Sequence, residues 1–321
     1  MDSRLLSLCG ALLLAAPAPS HPQAFPSKPI RLVVPFPAGG AMDSIARTLV
    51  QPLSRAFGQN VIVDNRPGGG TVIATEMVAR SPADGHTLLL MANSYTINPA
   101  VRSKLPYDAV KDFAGVSRLA TVPVIFSVHP SVPARTFKEL IALARARPGE
   151  LTYATPGPGT TQHLIGEMLK TAARIDITHV PYQGGAPATM AVMGGHTSVL
   201  VINVTESAPH ILAGKLRALA VTSLERSGDF KDVPTVAESG FPGFEAITWF
   251  GAVVPAATPR EAVNRLNADI VRALQLPEVR DALARLGLSA AGMSPGEFDA
   301  FIRAELRRNE KLAKEANLRI D

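Results

Sequence analysis

The chain has 321 residues, of which 46% are hydrophobic and 18% are charged, so it is long enough for two lobes that each bury a core. This composition excludes a disordered chain and a coiled coil. The 32 Lys and Arg residues exceed the 27 Asp and Glu residues, which gives a net charge of +5. The basic residues form no clustered stripe, so the sequence predicts no nucleic-acid partner, although the mild positive charge favours encounter with small anions.

Residues 1–24 have the pattern of a secretory signal peptide. Arg4 precedes an apolar stretch at residues 5–16, and small residues and prolines follow as far as Ala24. We expect cleavage after Ala24, with Ser20 as the alternative, and export of a soluble mature protein. The only cysteine, Cys9, lies in this segment, so we expect the mature chain to have no thiol catalysis, no thiolate metal site and no disulfide.

Predicted strands and helices alternate along the rest of the chain, which is typical of an α/β protein. The 25 glycines and 27 prolines fit the many tight connections that this alternation needs. The predicted strands cover residues 30–35, 61–64, 87–91, 116–128, 151–155, 175–180, 197–203, 216–223 and 246–254. The predicted helices cover residues 45–57, 71–80, 136–147, 161–173, 188–193, 260–275, 277–285 and 295–314, and residues 93–98 are predicted to form a polar loop. The pattern predicts parallel sheets with right-handed crossovers.

Two successive βαβ units predict two lobes. We assign residues 25–124 and 226–321 to lobe 1 and residues 125–225 to lobe 2. Phe298, Ile302 and Leu306 recur at helical spacing, so the C-terminal helix is expected to pack back on lobe 1. The chain would then cross between the lobes near residues 122–126 and 221–226, and two crossings form a hinge.

The sequence contains no catalytic signature and no complete metal-binding motif. His163 and Glu167 are spaced to share one helix face, but a zinc site needs a third ligand that the spacing does not supply. Gly157 and Gly159 resemble the start of a dinucleotide fingerprint, but Gln162 occupies the third glycine position. We therefore expect no metal, no cofactor and no catalytic residue. An enzyme with His163 as general base is the alternative, although nothing in the sequence pairs this histidine with a nucleophile.

Three loops of one kind follow predicted strands and lead towards helices. They cover residues 36–40, 157–161 and 182–185, and each contains glycine. Glycine lets backbone N–H groups approach a ligand, and a helix N-terminus offers unpaired donors with partial positive charge. Asn93, Ser94, Thr160 and Thr161 would add neutral amide and hydroxyl groups. Because ligands bind at the carboxyl ends of strands in open α/β sheets, these loops predict an anion site.

Several long strings of residues, in this order, resemble the Bug family of extracytoplasmic solute-binding receptors of tripartite tricarboxylate transporters. They occupy residues 26–40, 64–68, 84–89, 105–108, 111–113, 177–182, 213–222, 232–235 and 248–251, with Asp43 and the Asn98–Pro99 pair. The resemblance covers nearly the whole mature chain. It implies a monomeric periplasmic-binding-protein fold of the Venus-flytrap type, which captures a small organic carboxylate between two lobes and hands it to the permease subunits of a transporter in the Gram-negative periplasm.

The resemblance also implies the residues that hold the ligand carboxylate, through backbone amides and hydroxyls of both lobes. In lobe 1 they are Phe36, Ala38, Gly39, Gly40, Ala41, Asn93 and Ser94. In lobe 2 they are Gly159, Thr160, Thr161, His163, Tyr182, Gly184, Asn203 and Thr205. We expect Asp43 to stabilise the first turn of its helix and not to touch the ligand, because a negative charge is favourable near a helix N-terminus.

The sequence departs from the family pattern at three positions that bear on specificity. Gln183 stands where the family often has Lys, and Ser198 and Ile202 stand where it often has Asp. If position 202 faces the cleft, the loss of a carboxylate favours an acid without an amino group. The alternative is that Ile202 is a core residue. A sensor subunit that presents the ligand to a signalling kinase remains the alternative to a transport receptor.

Overall fold

The computed structural model describes residues 25–315 and 318–320, so the predicted signal peptide lies outside the described residues. The strands are β1 Ile30–Val34, β2 Val61–Asn65, β3 Thr87–Ala92, β4 Phe113–Val128, β5 Thr152–Thr155, β6 Thr178–Pro181, β7 Val199–Asn203, β8 Arg217–Val221, β9 Ile247–Pro255 and β10 Ser289–Ala290. The helices are α1 Ala41–Phe57, α2 Val72–Ala79, α3 Ser94–Val101, α4 Phe137–Ala146, α5 Thr161–Ala173, α6 Gly185–Met193, α7 Val204–Leu212, α8 Arg260–Gln275, α9 Pro277–Arg285 and α10 Pro295–Glu315.

Two helices differ from the sequence-based prediction. Helix α3 replaces the loop predicted at residues 93–98, and α7 was not predicted at all. The polar residues of α3 are buried and bonded, since the Thr96 hydroxyl donates to the Asn93 carbonyl and the Asn98 amide donates to the Gly70 carbonyl. The prediction was wrong because polar residues were taken as solvent-facing, whereas these find partners inside the fold.

The prediction of parallel sheets was correct only for part of each sheet. The first sheet has the order β2-β1-β3-β9-β4, and only β1, β2 and β3 are parallel. The second sheet has the order β4-β7-β5-β6, with β5, β6 and β7 parallel and with β7 and β8 both antiparallel to β4. The parallel strands belong to the two βαβ units. The antiparallel pairs involve β4 and β9, the strands that carry the chain from one sheet to the other.

The two crossing points lie side by side. Strand β4 pairs with β9 as far as Pro123, opposite Ile247, and with β7 from Val124, opposite Asn203. The hydroxyl of Thr222 accepts a hydrogen bond from the Val124 N–H at 3.1 Å and donates to the Ala246 carbonyl at 2.6 Å. The assignment of the lobe boundary to residue 225 stays a prediction.

One apolar cluster contains residues of both sheets, and two further clusters each lie on one sheet. The cluster on the second sheet includes Phe126, Val236 and Ala246, so the chain between β8 and β9 packs on lobe 2. Helix α10 places Phe298 and Ile302 in a cluster with the first-sheet strands, as predicted for the C-terminal helix. Among residues 25–315 and 318–320, no helix is both long and apolar enough to cross a bilayer.

Candidate functional site

A cavity of about 80 Å³ lies between the two lobes. From the first lobe, residues 36–38 and 40–42 line it together with Ala92 and Ser94, which stand at the end of β3. From the second lobe, it is lined by Pro156, by residues 160–162 and 183–187, and by Asn203 and Glu206. Thr248 and Phe250 of the crossing strand β9 complete the wall. The cavity is therefore bounded by residues of both lobes and of the strand that joins them.

Five helices begin at this cavity. They are α1 after Gly40, α3 at Ser94, α5 after Thr160, α6 after Gly184 and α7 after Asn203, and each of these five residues lines the cavity. The first N–H groups of a helix have no partner within it, so the cavity is surrounded by backbone donors and by the positive ends of helix dipoles. This arrangement can bind an anion without a cationic side chain.

A chain of polar side chains runs along the second-lobe wall. The Gln162 Nε2 group donates to Asn203 Oδ1 at 2.8 Å, and Asn203 Nδ2 donates to Glu206 Oε1 at 3.1 Å. Glu206 is the only ionisable side chain among the described residues that line the cavity. Burial raises the pKa of its carboxyl group to about 7, and the hydrogen bond from Asn203 opposes this shift only in part.

The structure brings nine of the fifteen predicted site residues to the cavity wall. These are Phe36, Ala38, Gly40, Ala41, Ser94, Thr160, Thr161, Gly184 and Asn203. All three glycine-containing loops therefore contribute to one site. Their role in ligand binding stays a prediction.

Six predicted residues lie outside the wall of this cavity. The Asn93 side chain bonds the backbone of Ile247 and Trp249, which ties β3 to the start of β9. The Gly39 N–H donates to Asp43. Tyr182 packs in a core cluster with its hydroxyl 3.3 Å from that of Thr197. The others are Gly159, His163 and Thr205.

Gly159 and Thr205 lie close to the cavity without lining it. A Cβ atom on Gly159 would lie 2.5 Å from Asn98 Oδ1, so this glycine allows the close approach of a second-lobe loop to α3. Thr205 lines an adjoining outer cavity together with Gly39 and Glu206. Asp43 is buried and accepts hydrogen bonds from Arg47 and Asn65, which agrees with its predicted role in the first turn of α1.

His163 points away from the cavity and into lobe 2. Its ring stacks on that of His179 with centroids 3.9 Å apart, and its Nδ1 accepts a hydrogen bond from the Gly159 N–H at 3.3 Å. Burial lowers the pKa of His163 to about 4. Glu167, its former partner in the metal hypothesis, instead accepts from the Tyr153 hydroxyl at 2.6 Å. No cluster of three metal-ligating side chains occurs within the described part of the chain.

Twelve lining residues were not among the fifteen named as site residues, although three of them lie in the predicted loops. They are Pro37, Met42, Ala92, Pro156, Gln162, Gln183, Gly185, Ala186, Pro187, Glu206, Thr248 and Phe250. Glu206 follows Asn203 by three residues, which is the spacing of a helix-capping pair and could have signalled α7. Ile202 is fully buried in the core, which was the alternative to a cleft-facing position. It therefore gives no reason to favour an acid without an amino group.

Comparison with known proteins gives one consistent result. The family profile described as "Tripartite tricarboxylate transporter family receptor" matches residues 45–318. Protein BugT of Bordetella pertussis is 35% identical over 322 residues, which cover 99% of each chain.

Solved structures with bound ligands show the same two-lobed fold. Rpa4515 of R. palustris with adipate is 37% identical, with a TM-score of 0.89 over 92% of this chain and 99% of that one. MatC of Rhodopseudomonas palustris with bound malate is 30% identical, with a TM-score of 0.84 over 90% of this chain and 99% of that one. The periplasmic binding protein BugD is also 30% identical, with a TM-score of 0.87 over 92% and 99%. The chain is a member of the family of Bug proteins, the receptors of tripartite tricarboxylate transporters.

Proposed function

We propose that this protein is exported to the periplasm, captures a small organic carboxylate between its two lobes and delivers it to the permease of a tripartite tricarboxylate-type transporter. The observation that carries the proposal is the convergence of five helix N-termini on one cavity whose wall has no cationic side chain among the described residues. Backbone N–H groups and hydroxyls can hold a carboxylate there, since each hydrogen bond to a charged ligand contributes roughly 1.5–3 kcal/mol.

The same wall explains why binding would close the lobes. The α1 terminus belongs to the first lobe, whereas the termini of α5, α6 and α7 belong to the second. A carboxylate that contacts both sets stabilises the closed arrangement and not the open one, so it shifts the equilibrium towards closure. The two chain crossings, joined by Thr222, are placed to act as the hinge.

The relatives support a carboxylate as the ligand class. The solved structures of Rpa4515 and MatC hold adipate and malate, respectively, and both are dicarboxylates. His163, the general base that an enzyme was expected to use, is stacked on His179 behind the wall with its Nδ1 occupied, which supports a receptor. We therefore assign a receptor, and not an enzyme, to this fold.

The test is isothermal titration of the mature protein with adipate, malate, citrate, benzoate and aspartate, together with the shift in melting temperature that each causes. We expect saturable binding of at least one of the first two acids and a rise in melting temperature. An absence of heat and of any thermal shift across the whole panel would contradict the proposal. Uptake of the bound acid would then be compared in cells with and without the protein. Loss of uptake in cells that lack it would indicate transport, and unchanged uptake would indicate sensing.

A variant at the α1 terminus locates the site. A Cβ atom on Gly40 would meet only the Pro37 carbonyl, at 3.9 Å, so the larger side chain of Gly40→Val would extend into the cavity and block backbone approach. We expect it to abolish binding with an unchanged circular dichroism spectrum. Gly228→Val is the matched control, because nothing lies within 4 Å of a Cβ there and Gly228 does not line the cavity. Retained affinity in Gly40→Val would show that the ligand binds elsewhere.

A further inference from the structure

Glu206 stands between two cavities. One is the cavity described above, and the other is an outer cavity of about 300 Å³ that opens between α1, α6 and α7. Its Oε1 atom accepts the hydrogen bond from Asn203, whereas its Oε2 atom lies against Gly185, the first residue of α6. A side chain on Gly185 would overlap this carboxyl group, so the glycine leaves room for Glu206 at the end of the helix.

Among the described residues, no cation balances the Glu206 carboxylate. The described residues of α1, α5, α6 and segment 286–288 contribute no charged side chain to either cavity. Asp43 and Arg47 of α1 pair with each other and do not line either one. The remaining titratable neighbour is His210, one turn further along α7, which lines the outer cavity. An ionised Glu206 beside a bound carboxylate would therefore place two unpaired negative charges in one small site, which is unfavourable.

We propose that Glu206 is a specificity-determining residue that holds a carboxyl group of a dicarboxylic acid through a shared proton, which is taken up from solvent as the acid binds. The inference rests on the proposed function, since it concerns the same cavity. The carboxyl oxygen next to Gly185 becomes the donor, and the ligand oxygen becomes the acceptor. Two carboxyl groups that share a proton are held together by a short, strong hydrogen bond and carry one negative charge instead of two.

The helix N-termini explain why the proton is taken up on binding. In the unliganded protein, the unpaired N–H groups at the starts of α6 and α7 favour an ionised Glu206, while burial opposes it and raises its pKa to about 7. A ligand carboxylate that occupies these donors removes their support for Glu206 and adds its own negative charge. Both effects move the pKa of Glu206 further upwards, so the bound state holds one more proton above neutral pH.

The experiment is calorimetric titration with adipate, and in parallel with malate, at pH 6, 7, 8 and 9, in buffers of different ionisation enthalpy. We expect uptake that approaches one proton at pH 8 and an adipate affinity that falls by about tenfold per pH unit above pH 7. Glu206→Gln keeps a neutral donor at the same place, so it should bind adipate with no proton uptake and no such pH dependence. Glu206→Met has no donor and should bind roughly 10- to 100-fold more weakly at pH 6.

Three results would overturn the inference. Binding without proton uptake by the wild-type protein, which needs no variant, would show that the protonation of Glu206 does not change on binding and that no proton is taken up to be shared. Wild-type affinity in both variants would show that Glu206 does not touch the ligand. Failure of the wild-type protein to bind either acid would overturn the proposed function itself, and the inference with it.

Discussion

Gln162 and His163 are neighbours on α5 but point to opposite sides of the second-lobe wall. Gln162 faces the cavity and leads through Asn203 to Glu206. His163 faces the lobe interior, where it stacks on His179, which in turn stacks on Tyr153. The Tyr153 hydroxyl donates to Glu167. The series of contacts on each side of the wall thus leads to a partly buried glutamate.

The two glutamates differ in how their charge is compensated. Glu167 accepts from Tyr153 and forms an ion pair with Lys170 at 3.1 Å, as expected for a carboxylate that belongs to the structure. Glu206 accepts from the amide of Asn203 and pairs with no cation in the part of the chain that the structure describes. Uncompensated charge inside a protein is unfavourable, so its presence at the cavity points to function. The comparison separates a stabilising polar network from a binding one.

The largest effect that we expect concerns acid stability on the interior side. Burial lowers the pKa of His163 to about 4 and that of His179 to about 3. Unfolded histidine has a pKa near 6.5, so between pH 6.5 and 4 the unfolded chain binds protons that the stacked rings do not. The free energy of unfolding, measured with urea, should therefore fall from pH 7 to pH 4.5 by roughly 2 kcal/mol for each ring.

Substitution isolates this effect from other acid-sensitive groups. His179→Gln keeps an amide that can bond Thr155, whose hydroxyl lies 2.7 Å from His179 Nε2, and it removes one titrating ring. It should reduce the loss of stability at pH 4.5 by about half of the amount due to the stack. His196 is exposed, so His196→Gln should leave the pH dependence unchanged. A His179→Gln profile identical to that of the wild type would mean that the stack does not titrate as described.

The next effect concerns the cavity side and uses a pair of glycines. Gly185→Ala places a methyl group on the Glu206 carboxyl group, which must move away. The methyl group would also lie 2.9 Å from Ile202 Cδ1, which is fully buried, so stability should fall moderately. Adipate affinity should fall roughly 10- to 100-fold. Gly228→Ala is the matched control, since nothing lies within 4 Å of a Cβ atom there and Gly228 does not line the cavity. Equal affinity in the two variants would indicate that the position of Glu206 is unimportant for binding.

The sequence was sufficient to predict the three glycine-containing loops of the site. Their signals are local, since a glycine at the end of an apolar strand and a helix just after it are visible within a few residues. Gly157, with a φ of +144°, and Gly184, with a φ of +111°, adopt conformations that favour glycine. The two lobes and the return of α10 also follow from periodicity, which extends over many residues.

Glu206 and α3 could not be predicted in the same way, because their environments depend on distant residues. The Asn98 side chain is satisfied by the Gly70 carbonyl, 28 positions away, so its polarity does not mark a surface loop. Glu206 faces the cavity because α7 begins directly after β7 and because Gly185 leaves space beside it. The direction of such a side chain follows from tertiary packing and not from local propensity.

The smallest effect that we expect is a shift in the pH dependence of adipate binding on substitution of Gln162. Gln162→Met removes the donor to Asn203 Oδ1 but keeps the length of the side chain. The Asn203 amide can then rotate, so its Nδ2 group no longer points steadily at Glu206. Loss of that hydrogen bond destabilises the ionised carboxyl group, and the pH above which adipate affinity falls should move upwards. We expect adipate affinity at pH 6 to fall by less than about tenfold, because the protonated form of Glu206 remains.

Gln183→Met tests whether this effect belongs to the polar chain or to any amide on the wall. Gln183 lines the same cavity but takes no part in the chain from Gln162 to Glu206. It should leave the pH dependence of adipate binding unchanged, whatever it does to the affinity itself. An equal shift in both variants would mean that general polarity of the wall sets the protonation of Glu206. A shift in Gln162→Met alone would show that the amide chain on the cavity side of α5 controls it.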